Sequence, residues 1–311
     1  MEGGGFCYDQ TSCNLRWSNS KSLMSSKGWS STREGPGILS DSPSINPYWH
    51  NASIMDIMYC SSDSYSGNKM NSDLNWNFMG SVIVESAIQD AIKRYGLNNA
   101  RKVIFTGSSA GAEGLYPNAN RVHKMVSPNT QFLVLLDSGW FLDFDPYRNG
   151  DCSQLGSCTE QEGLRRGVLH WNPNMDQDCA AAKQLWQCLL GYHAFPYIKS
   201  ESFVFVYSYD SAGLGHDGIY NIPTSPGELA YAKQAALNIT KSLSDDNVNA
   251  FFNPSCYRHT IEGDNNWGKL EISGRKLVDV IYEWTLNPSS SSFRLTDSCN
   301  TPNCNPTCNL L

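Results

Sequence analysis

Three runs of apolar residues without a polar interruption stand out along the chain: Val103-Ile104-Phe105, Phe132–Leu136 and Phe203–Tyr207. Segments with helical periodicity lie between and after these runs. Strands that are apolar on both faces are typical of a parallel sheet that helices cover on either side. The alternation therefore predicts an α/β fold built on a mostly parallel sheet.

The helical segments show apolar residues that recur every three or four positions. The predicted helices are Phe78–Tyr95, Glu228–Leu243 and a last helix from Gly274 onward. Another helix should follow residue 109, and Gly114 and Pro117 within it predict a kink or restart near Asn118. Outside these segments, Ile54–Tyr59 has the composition of a short strand.

No internal repeat, charge run or linker divides the sequence, which predicts one domain over residues 1–311. Residues 141–195 are rich in loop signals and contain two close cysteine pairs, so we expect a stapled, cap-like insertion. Residues 294–311 form a Cys/Pro-rich tail that we expect to be irregular. Glycines rather than an apolar signal sequence follow Met1, so we expect an upstream segment with a signal peptide, further strands and a twelfth cysteine.

The sequence contains eleven cysteines, an odd number, and most of them fall in close pairs. The pairs are Cys7/Cys13, Cys152/Cys158 and Cys179/Cys188, with a tail group of Cys299, Cys304 and Cys308. This spacing indicates disulfides formed in an oxidising compartment, and sequons at Asn51 and Asn238 agree with a secreted glycoprotein. A zinc site in the tail is the less favoured alternative, because no histidine stands at ligand spacing.

Charge and hydropathy exclude two classes of function. The formal net charge is −7, so nothing in the sequence attracts a phosphate backbone, and we expect no nucleic-acid partner. No run of about 18 apolar residues is present, so we expect no membrane-spanning helix.

The segment Gly107-Ser108-Ser109-Ala110-Gly111 fits the G-x-S-x-G elbow and lies between an apolar strand and a helical segment. This context predicts an α/β-hydrolase fold with Ser109 as a nucleophile, because the sharp turn needs small neighbours and a helix N-terminus stabilises negative charge. An ordinary turn is the competing interpretation. Ser108 is the rival serine, but its position in the motif is wrong.

A serine nucleophile needs a base, and in this fold the acid and then the histidine follow it along the chain. His259 follows Cys256 and precedes a Gly/Asn-rich loop, which suits a base fixed by a disulfide. Asp210, just beyond a strand, is the favoured acid, and Asp137 at another strand end is the alternative. The other histidines well past the nucleophile are His170, His193 and His216.

A second glycine cluster, Gly3-Gly4-Gly5, could be a simple turn or could present amide groups to an oxyanion together with the Ala110 amide. A phosphate-binding loop fits poorly, since no Gly-Lys-Ser/Thr follows. Our candidates for an acyl pocket are apolar, and each could equally be core: Phe6, Phe141, Leu189 and Leu190. Acyl transfer by these groups needs no metal or organic cofactor.

Several long motifs together resemble the pectin acetylesterase/Notum family, almost from end to end of the chain. They are Glu2-Gly3-Gly4-Gly5-Phe6-Cys7, Gly37-Ile38-Leu39-Ser40, Asn46-Pro47-Tyr48-Trp49, Tyr59-Cys60-Ser61-Ser62-Asp63, Gly107-Ser108-Ser109-Ala110-Gly111, Asp137-Ser138-Gly139-Trp140-Phe141-Leu142-Asp143 and Cys304-Asn305-Pro306-Thr307-Cys308. Leu23-Met24-Ser25-Ser26 is among the motifs that look closer to Notum than to the plant esterases.

The resemblance implies a secreted serine carboxylesterase that removes the palmitoleate ester from a serine of Wnt proteins and so dampens Wnt signalling. It places the family triad on Ser109, Asp210 and His259, and the oxyanion hole on Gly4, Gly5 and Ala110. Heparan-sulfate association is also a family trait, but the net negative charge of this chain does not support it. The alternatives are an acetylesterase acting on an acetylated polysaccharide and a non-catalytic binding protein on an esterase scaffold.

The sequence departs from the Notum pattern at positions that bear on the acyl group. Gly5 stands where Notum usually has tryptophan, and Leu189-Leu190 stands where it has two phenylalanines. Tyr116-Pro117 is unusual in the nucleophile helix, and the upstream strands of the family fold are absent from the sequence. These differences leave the triad intact and concern the lipid specificity.

Overall fold

A computed structural model describes residues 1–153, 158–245 and 248–311 of the chain. The strands are β1 (Lys102–Ser108), β2 (Gln131–Asp137), β3 (Glu201–Phe205), β4 (Tyr209–Asp210), β5 (Ala250–Asn253), β6 (Tyr257–Arg258), β7 (Glu271–Ile272), β8 (Arg275–Lys276) and β9 (Arg294–Thr296). The central sheet has five parallel strands in the order β1-β2-β3-β5-β9, and two small two-stranded sheets accompany it. The mostly parallel sheet predicted from the apolar runs is confirmed.

Helices cover both faces of this sheet. They are α1 (Gln10–Asn19), α2 (Gly80–Tyr95), α3 (Ala110–Glu113), α4 (Leu115–Met125), α5 (Glu160–Trp171), α6 (Gln177–Ala182), α7 (Gly191–Ala194), α8 (Ser211–His216), α9 (Pro226–Asp245) and α10 (Leu277–Leu286). Gly96 ends α2 with a φ of 72°, a left-handed conformation that glycine adopts without steric cost. Within the described residues, no helix is both long and apolar enough to cross a bilayer.

Strand β2 shows why the apolar runs are continuous. Val134 and Leu136 pack into a cluster with α2, α4 and α9, whereas Leu133 and Leu135 pack into a second cluster with α10. All four side chains are at most 1% exposed. Because both faces of the strand are buried, the period of two that marks a half-exposed strand is absent.

Three local expectations differ from the structure. Ile54–Tyr59 is extended but is not a strand: its backbone contact is one bond of 3.4 Å from the Glu2 amide to the Ile57 carbonyl, so no ladder forms. The nucleophile helix breaks at Gly114, between α3 and α4, and not near Asn118. The tail begins as strand β9, which pairs with β5, because tertiary pairing supplies hydrogen bonds that local sequence does not indicate.

Five disulfides join the cysteines that the structure pairs: Cys7–Cys13, Cys152–Cys158, Cys179–Cys188, Cys256–Cys308 and Cys299–Cys304. The three close pairs read from the sequence spacing are confirmed. Cys60 is the free thiol. The Cys256–Cys308 bond attaches the C-terminal tail to the segment just before His259.

The carboxyl ends of the parallel strands bring the chemistry-bearing residues to one edge of the sheet. Ser109 follows β1, Asp137 ends β2, and Asp210 lies five residues beyond β3. His259 follows β6, which comes after β5. Open α/β sheets bind their ligands at this edge, so the candidate site is built there.

Candidate active site

Ser109 occupies a strained turn between β1 and α3. Its φ of 54° and ψ of −125° lie outside the regions that serine readily adopts. A side chain at Gly107 would overlap the backbone of Gly111, and one at Gly111 would overlap the carbonyl group of Met1. The small residues of the elbow are therefore required by close backbone approach, and the turn exposes the Ser109 hydroxyl at the edge of the sheet.

Three side chains far apart in sequence form a hydrogen-bonded relay at this turn. His259 Nε2 lies 2.8 Å from Ser109 Oγ. On the other side of the ring, His259 Nδ1 lies 2.8 Å from Asp210 Oδ2 and 3.0 Å from Asp210 Oδ1. The carboxylate fixes the tautomer in which Nδ1 carries the proton and Nε2 accepts one from the serine.

A small parallel sheet and a helix cap hold the acid and the base in place. Asp210 in β4 pairs with Arg258 in β6, and His259 is the next residue. Asp210 Oδ1 also accepts the amides of Ala212 and Gly213 at 3.0 and 2.9 Å, which caps the start of α8. The carboxylate is 5% exposed, so its hydrogen bonds act in a largely dry environment.

The electrostatic surroundings of His259 favour its protonated form. Burial by itself favours the neutral imidazole, but the charge and the hydrogen bond of Asp210 outweigh it and raise the pKa of His259 above its usual 6.5. A base with a raised pKa takes a proton more readily, so the pair is arranged to stabilise an imidazolium.

Asp137, the alternative acid, does not hydrogen-bond the imidazole, whose partners among the described residues are Asp210 and Ser109. Its Oδ2 accepts the Ser108 hydroxyl at 2.8 Å and the amides of Ile261 and Glu262 at 2.9 Å each. It is fully buried and braces the loop that follows His259. The other candidate histidines pair with carboxylates outside the triad: His170 with Asp73, His193 with Asp143 and His216 with Glu160.

The glycine-rich segment near the N-terminus lies against the elbow. A Cβ atom at Gly3 would stand 2.9 Å from the Ser109 Cβ, so only glycine allows this approach. Gly4 and Gly5 have φ values of 133° and 64°. Among the described residues, no protein acceptor bonds to the amides of Gly4, Gly5 or Ala110, which leaves these donors available beside the serine.

Arg16, which the sequence analysis did not single out, fixes this segment. Its Nη2 donates to the Gly4 carbonyl and, at 3.2 Å, to the Gly5 carbonyl, and its Nε donates to Ser62 Oγ at 2.6 Å. The N–H of Gly5 belongs to the same peptide plane as the Gly4 carbonyl and points the opposite way, so the guanidinium sets its direction. Arg16 is 5% exposed and forms no ion pair within the described chain.

Comparisons with known proteins match almost the whole chain to a family of esterases. The pectinacetylesterase family model matches residues 1–309. The chain belongs to the pectinacetylesterase family. It is 34% identical to the palmitoleoyl-protein carboxylesterase NOTUM of Mus musculus and 35% identical to that of Homo sapiens, with 99% of this chain covered in both cases.

A solved structure supports the fold directly. The Wnt deacylase Notum from Drosophila superimposes with a TM-score of 0.88 at 34% identity, covering 99% of this chain and 88% of that one. The α/β-hydrolase fold predicted from the elbow is thereby confirmed. The chain spans 65% of the length of the mouse relative and 66% of the human one.

The residues expected to line an acyl pocket of this pectinacetylesterase-family chain come together in one apolar cluster. Leu189 and Leu190 are fully buried in it with Phe141, and Phe6 packs against it. The Phe141 ring lies 6.0 Å from the His259 ring, centroid to centroid, so Phe141 is the member that adjoins the triad. Phe6 instead packs edge-to-face on Trp171 at 5.3 Å.

Proposed function

We propose that this chain is a serine carboxylesterase. The observation that carries the proposal is the relay from Ser109 Oγ through the His259 imidazole to Asp210, built on a strained elbow. Ser109 is the proposed nucleophile, His259 the general base, and Asp210 the group that orients the imidazole and stabilises its charge. The membership of an esterase family supports the same activity.

The first half of the reaction forms an acyl-enzyme. His259 Nε2 takes the hydroxyl proton as Ser109 Oγ attacks the ester carbonyl. The amides of Gly4, Gly5 and Ala110 are the proposed donors to the oxyanion, and each such donor stabilises the transition state by about 3–4 kcal/mol. Collapse of the tetrahedral intermediate breaks the ester bond, and His259 returns the proton to the departing alcohol.

The second half removes the acyl group. Water approaches the acyl-serine, gives a proton to His259 and attacks the carbonyl carbon. The intermediate releases the acid, and the proton returns from His259 to Ser109. No further group is required for the balance of atoms and protons.

Substitution of the serine tests the proposal. Ser109→Ala should lower the rate of p-nitrophenyl acetate hydrolysis by a factor of about 10⁴ or more, because the nucleophile is lost. The control is Ser244→Ala, which changes an exposed serine on α9 and should keep the wild-type activity. Hydrolysis that is unchanged in Ser109→Ala would contradict the role of Ser109, and rates no faster than buffer alone in both proteins would support a non-catalytic binding protein on an esterase scaffold.

Two substrate classes are candidates. Overall similarity to a palmitoleoyl-protein carboxylesterase and to a Wnt deacylase favours a long-chain acyl ester on a protein such as Wnt. The family description favours an O-acetyl ester on a polysaccharide of the pectin type. Five disulfides support a secreted, extracellular location for either substrate.

Comparison of p-nitrophenyl acetate with p-nitrophenyl octanoate separates the two candidates. Preference for the octanoate would support protein delipidation, and preference for the acetate would support the acetylesterase.

A further inference from the structure

Asp137 ends β2 directly across from Ser108 in β1, and the proposed mechanism does not use it. The backbone carbonyl of Asp137 accepts the Ser109 amide at 2.8 Å. The carboxylate of the same residue accepts the Ser108 hydroxyl at 2.8 Å. Asp137 therefore holds both serines of the elbow, one through its backbone and the other through its side chain.

The same carboxylate holds the loop that carries the base, residues 259–264, which we call the base loop. Asp137 Oδ2 accepts the amides of Ile261 and Glu262 at 2.9 Å each, two and three residues after His259. These bonds are shielded from water, because Asp137 is fully buried. One side chain thus connects the turn of the nucleophile to the loop of the base, although Ser109 and His259 are 150 residues apart in sequence.

Ser138 extends the network to Thr260, the residue directly after the base. The Ser138 hydroxyl donates to Asp137 Oδ1 at 2.9 Å, and its oxygen accepts the Thr260 amide at 3.1 Å. Thr260 has a φ of 59° and Ser138 a φ of 56°. A left-handed backbone is unfavourable for a β-branched residue such as threonine and persists where surrounding contacts fix it. The hydrogen bond to Ser138 is such a contact.

Ser109 is a third residue of this network with a left-handed backbone, with a φ of 54°. Its amide bonds Asp137 directly, Ser138 bonds the Asp137 carboxylate, and Thr260 is connected through Ser138. Without these contacts, each of the three strained residues would relax towards ordinary dihedral angles. Relaxation of Ser109 or Thr260 would change the 2.8 Å distance between the serine Oγ and His259 Nε2.

Two other buried carboxyl groups lie near the elbow and have different partners. Glu113, in the turn after the nucleophile, accepts a hydroxyl group from a segment outside the base loop. Glu262 belongs to the base loop, where its carboxyl group accepts the Thr106 hydroxyl in β1 and approaches the Ser108 hydroxyl at 3.5 Å. Asp137 bonds the nucleophile turn through its backbone and two amides of the base loop through its side chain.

We propose that Asp137 is a positioning residue that keeps the His259 imidazole within hydrogen-bond distance of the Ser109 hydroxyl. It acts through the elbow and the base loop and does not touch the reacting atoms. The proposal rests on the esterase function proposed above and gives a second carboxylate a role in it. Asp210 orients the imidazole by bonding it directly, whereas Asp137 sets the place of the ring relative to the nucleophile.

The test measures kcat and KM for p-nitrophenyl acetate in Asp137→Ala and Asp137→Asn. Asp137→Ala removes every hydrogen bond to the carboxylate and should lower kcat by about 10²-fold, the effect of a displacement of about 1 Å at the reacting groups. KM should change little, because the buried side chain does not meet the ester. Asp137→Asn keeps the shape and one acceptor oxygen, so its kcat should lie between those of Asp137→Ala and the wild type.

A fluorophosphonate measures the step between serine and histidine by itself. In this reaction Ser109 Oγ bonds to phosphorus, His259 takes the hydroxyl proton, and fluoride leaves without needing a proton. The rate constant of phosphonylation should fall in both Asp137 variants, in the same order as kcat. This readout depends on the approach of the base to the serine and not on the departure of an alcohol.

The matched control is Asn120→Ala on α4, which also removes a buried polar side chain with several partners. The Asn120 side chain bonds Asp176, Tyr197 and Lys199, none of which is a site residue. Asn120→Ala should lower the melting temperature but leave kcat and the phosphonylation rate of the folded protein at wild-type values. A purely structural role of Asp137 would give this same pattern.

Wild-type kcat and phosphonylation rates in the folded fraction of both Asp137 variants would overturn the proposal. A loss confined to KM would overturn it as well, because misplacement of the base slows the chemical step. If Asp137→Ala does not fold, Asp137→Asn decides by the same two measurements: reduced rates support the positioning role, and wild-type rates reject it.

Failure of the esterase function itself has a different signature. If Ser109→Ala hydrolyses the ester at the wild-type rate, or if neither protein exceeds the rate in buffer, the proposed function and the positioning role are both rejected. If Ser109→Ala is inactive while both Asp137 variants react as fast as the wild type, the esterase stands and only the role of Asp137 is wrong.

Discussion

Asp210 lies directly across from Arg258 in a two-stranded parallel sheet, and this pairing places its carboxylate beside the imidazole of the next residue, His259. The acid and the base are 49 residues apart in sequence. The short sheet joins them through backbone hydrogen bonds, so the geometry of the relay does not depend on flexible loops alone.

The activity of the wild type should rise with pH through the pKa of His259, because the general base must be neutral to accept the serine proton. Asp210 raises this pKa above 6.5 despite the opposing effect of burial. The midpoint of the acid limb of kcat/KM is therefore expected above pH 6.5. The measurement is a pH–rate profile with p-nitrophenyl acetate; a midpoint below this value would contradict the assignment.

Asp210→Asn should lower kcat by about 10⁴-fold, because the amide favours the wrong tautomer of His259. The same change removes the charge that raises the His259 pKa, so the acid limb of the residual activity should move to lower pH. Exposed Asp90 provides the control, since Asp90→Asn should change neither quantity. An acid limb that stays in place in Asp210→Asn would show that another group sets it.

Arg16→Met should lower kcat by about 10²–10³-fold with a smaller effect on KM, because the Gly5 amide loses its fixed direction. The carbonyls of Gly4 and Gly5 also lose a donor, so thermal stability should fall. Arg16→Lys should restore part of kcat, and Arg94→Met on the surface should leave it unchanged. Equal losses in kcat and in the folded fraction would point to a structural role only.

The disulfide between Cys256 and Cys308 closes a loop of 52 residues and should stabilise the fold by about 4 kcal/mol through the entropy of the unfolded chain. Replacement of both cysteines by serine should lower the free energy of unfolding by this amount and loosen the segment before His259. The control is the pair Cys299/Cys304, whose separation of five residues predicts a loss of roughly 2 kcal/mol. Urea unfolding under non-reducing conditions measures both; equal losses would contradict the loop-length argument.

Local chemistry made much of the site predictable. The elbow could be recognised from the sequence because one sharp turn between a strand and a helix requires its glycines and Ser109. The short-range disulfides could be read because cysteines six or nine residues apart meet without long-range pairing. The sequence favoured Asp210 over Asp137 as the acid but did not decide between them, because both lie at the ends of buried strands at the same edge of the sheet.

The residues that the sequence analysis did not identify are those whose role depends on partners far away in the sequence. Arg16 acts on carbonyls eleven and twelve residues away, with no motif to mark it. Glu113 gave a weak signal, as an acidic residue in the turn after the nucleophile, but the hydroxyl that donates to its carboxylate belongs to Ser64, 49 residues earlier in the chain. The irregular tail was expected because β9 is too short to show a period of its own.

The sequence by itself determined the parallel α/β architecture, the elbow that presents Ser109, and the close cysteine pairs, because each depends on neighbours within a few residues. Only the tertiary structure decided which carboxylate meets His259 and which donor fixes the glycine segment. Those relationships depend on the packing of separate helices and strands, and residue spacing along a chain carries no record of that packing.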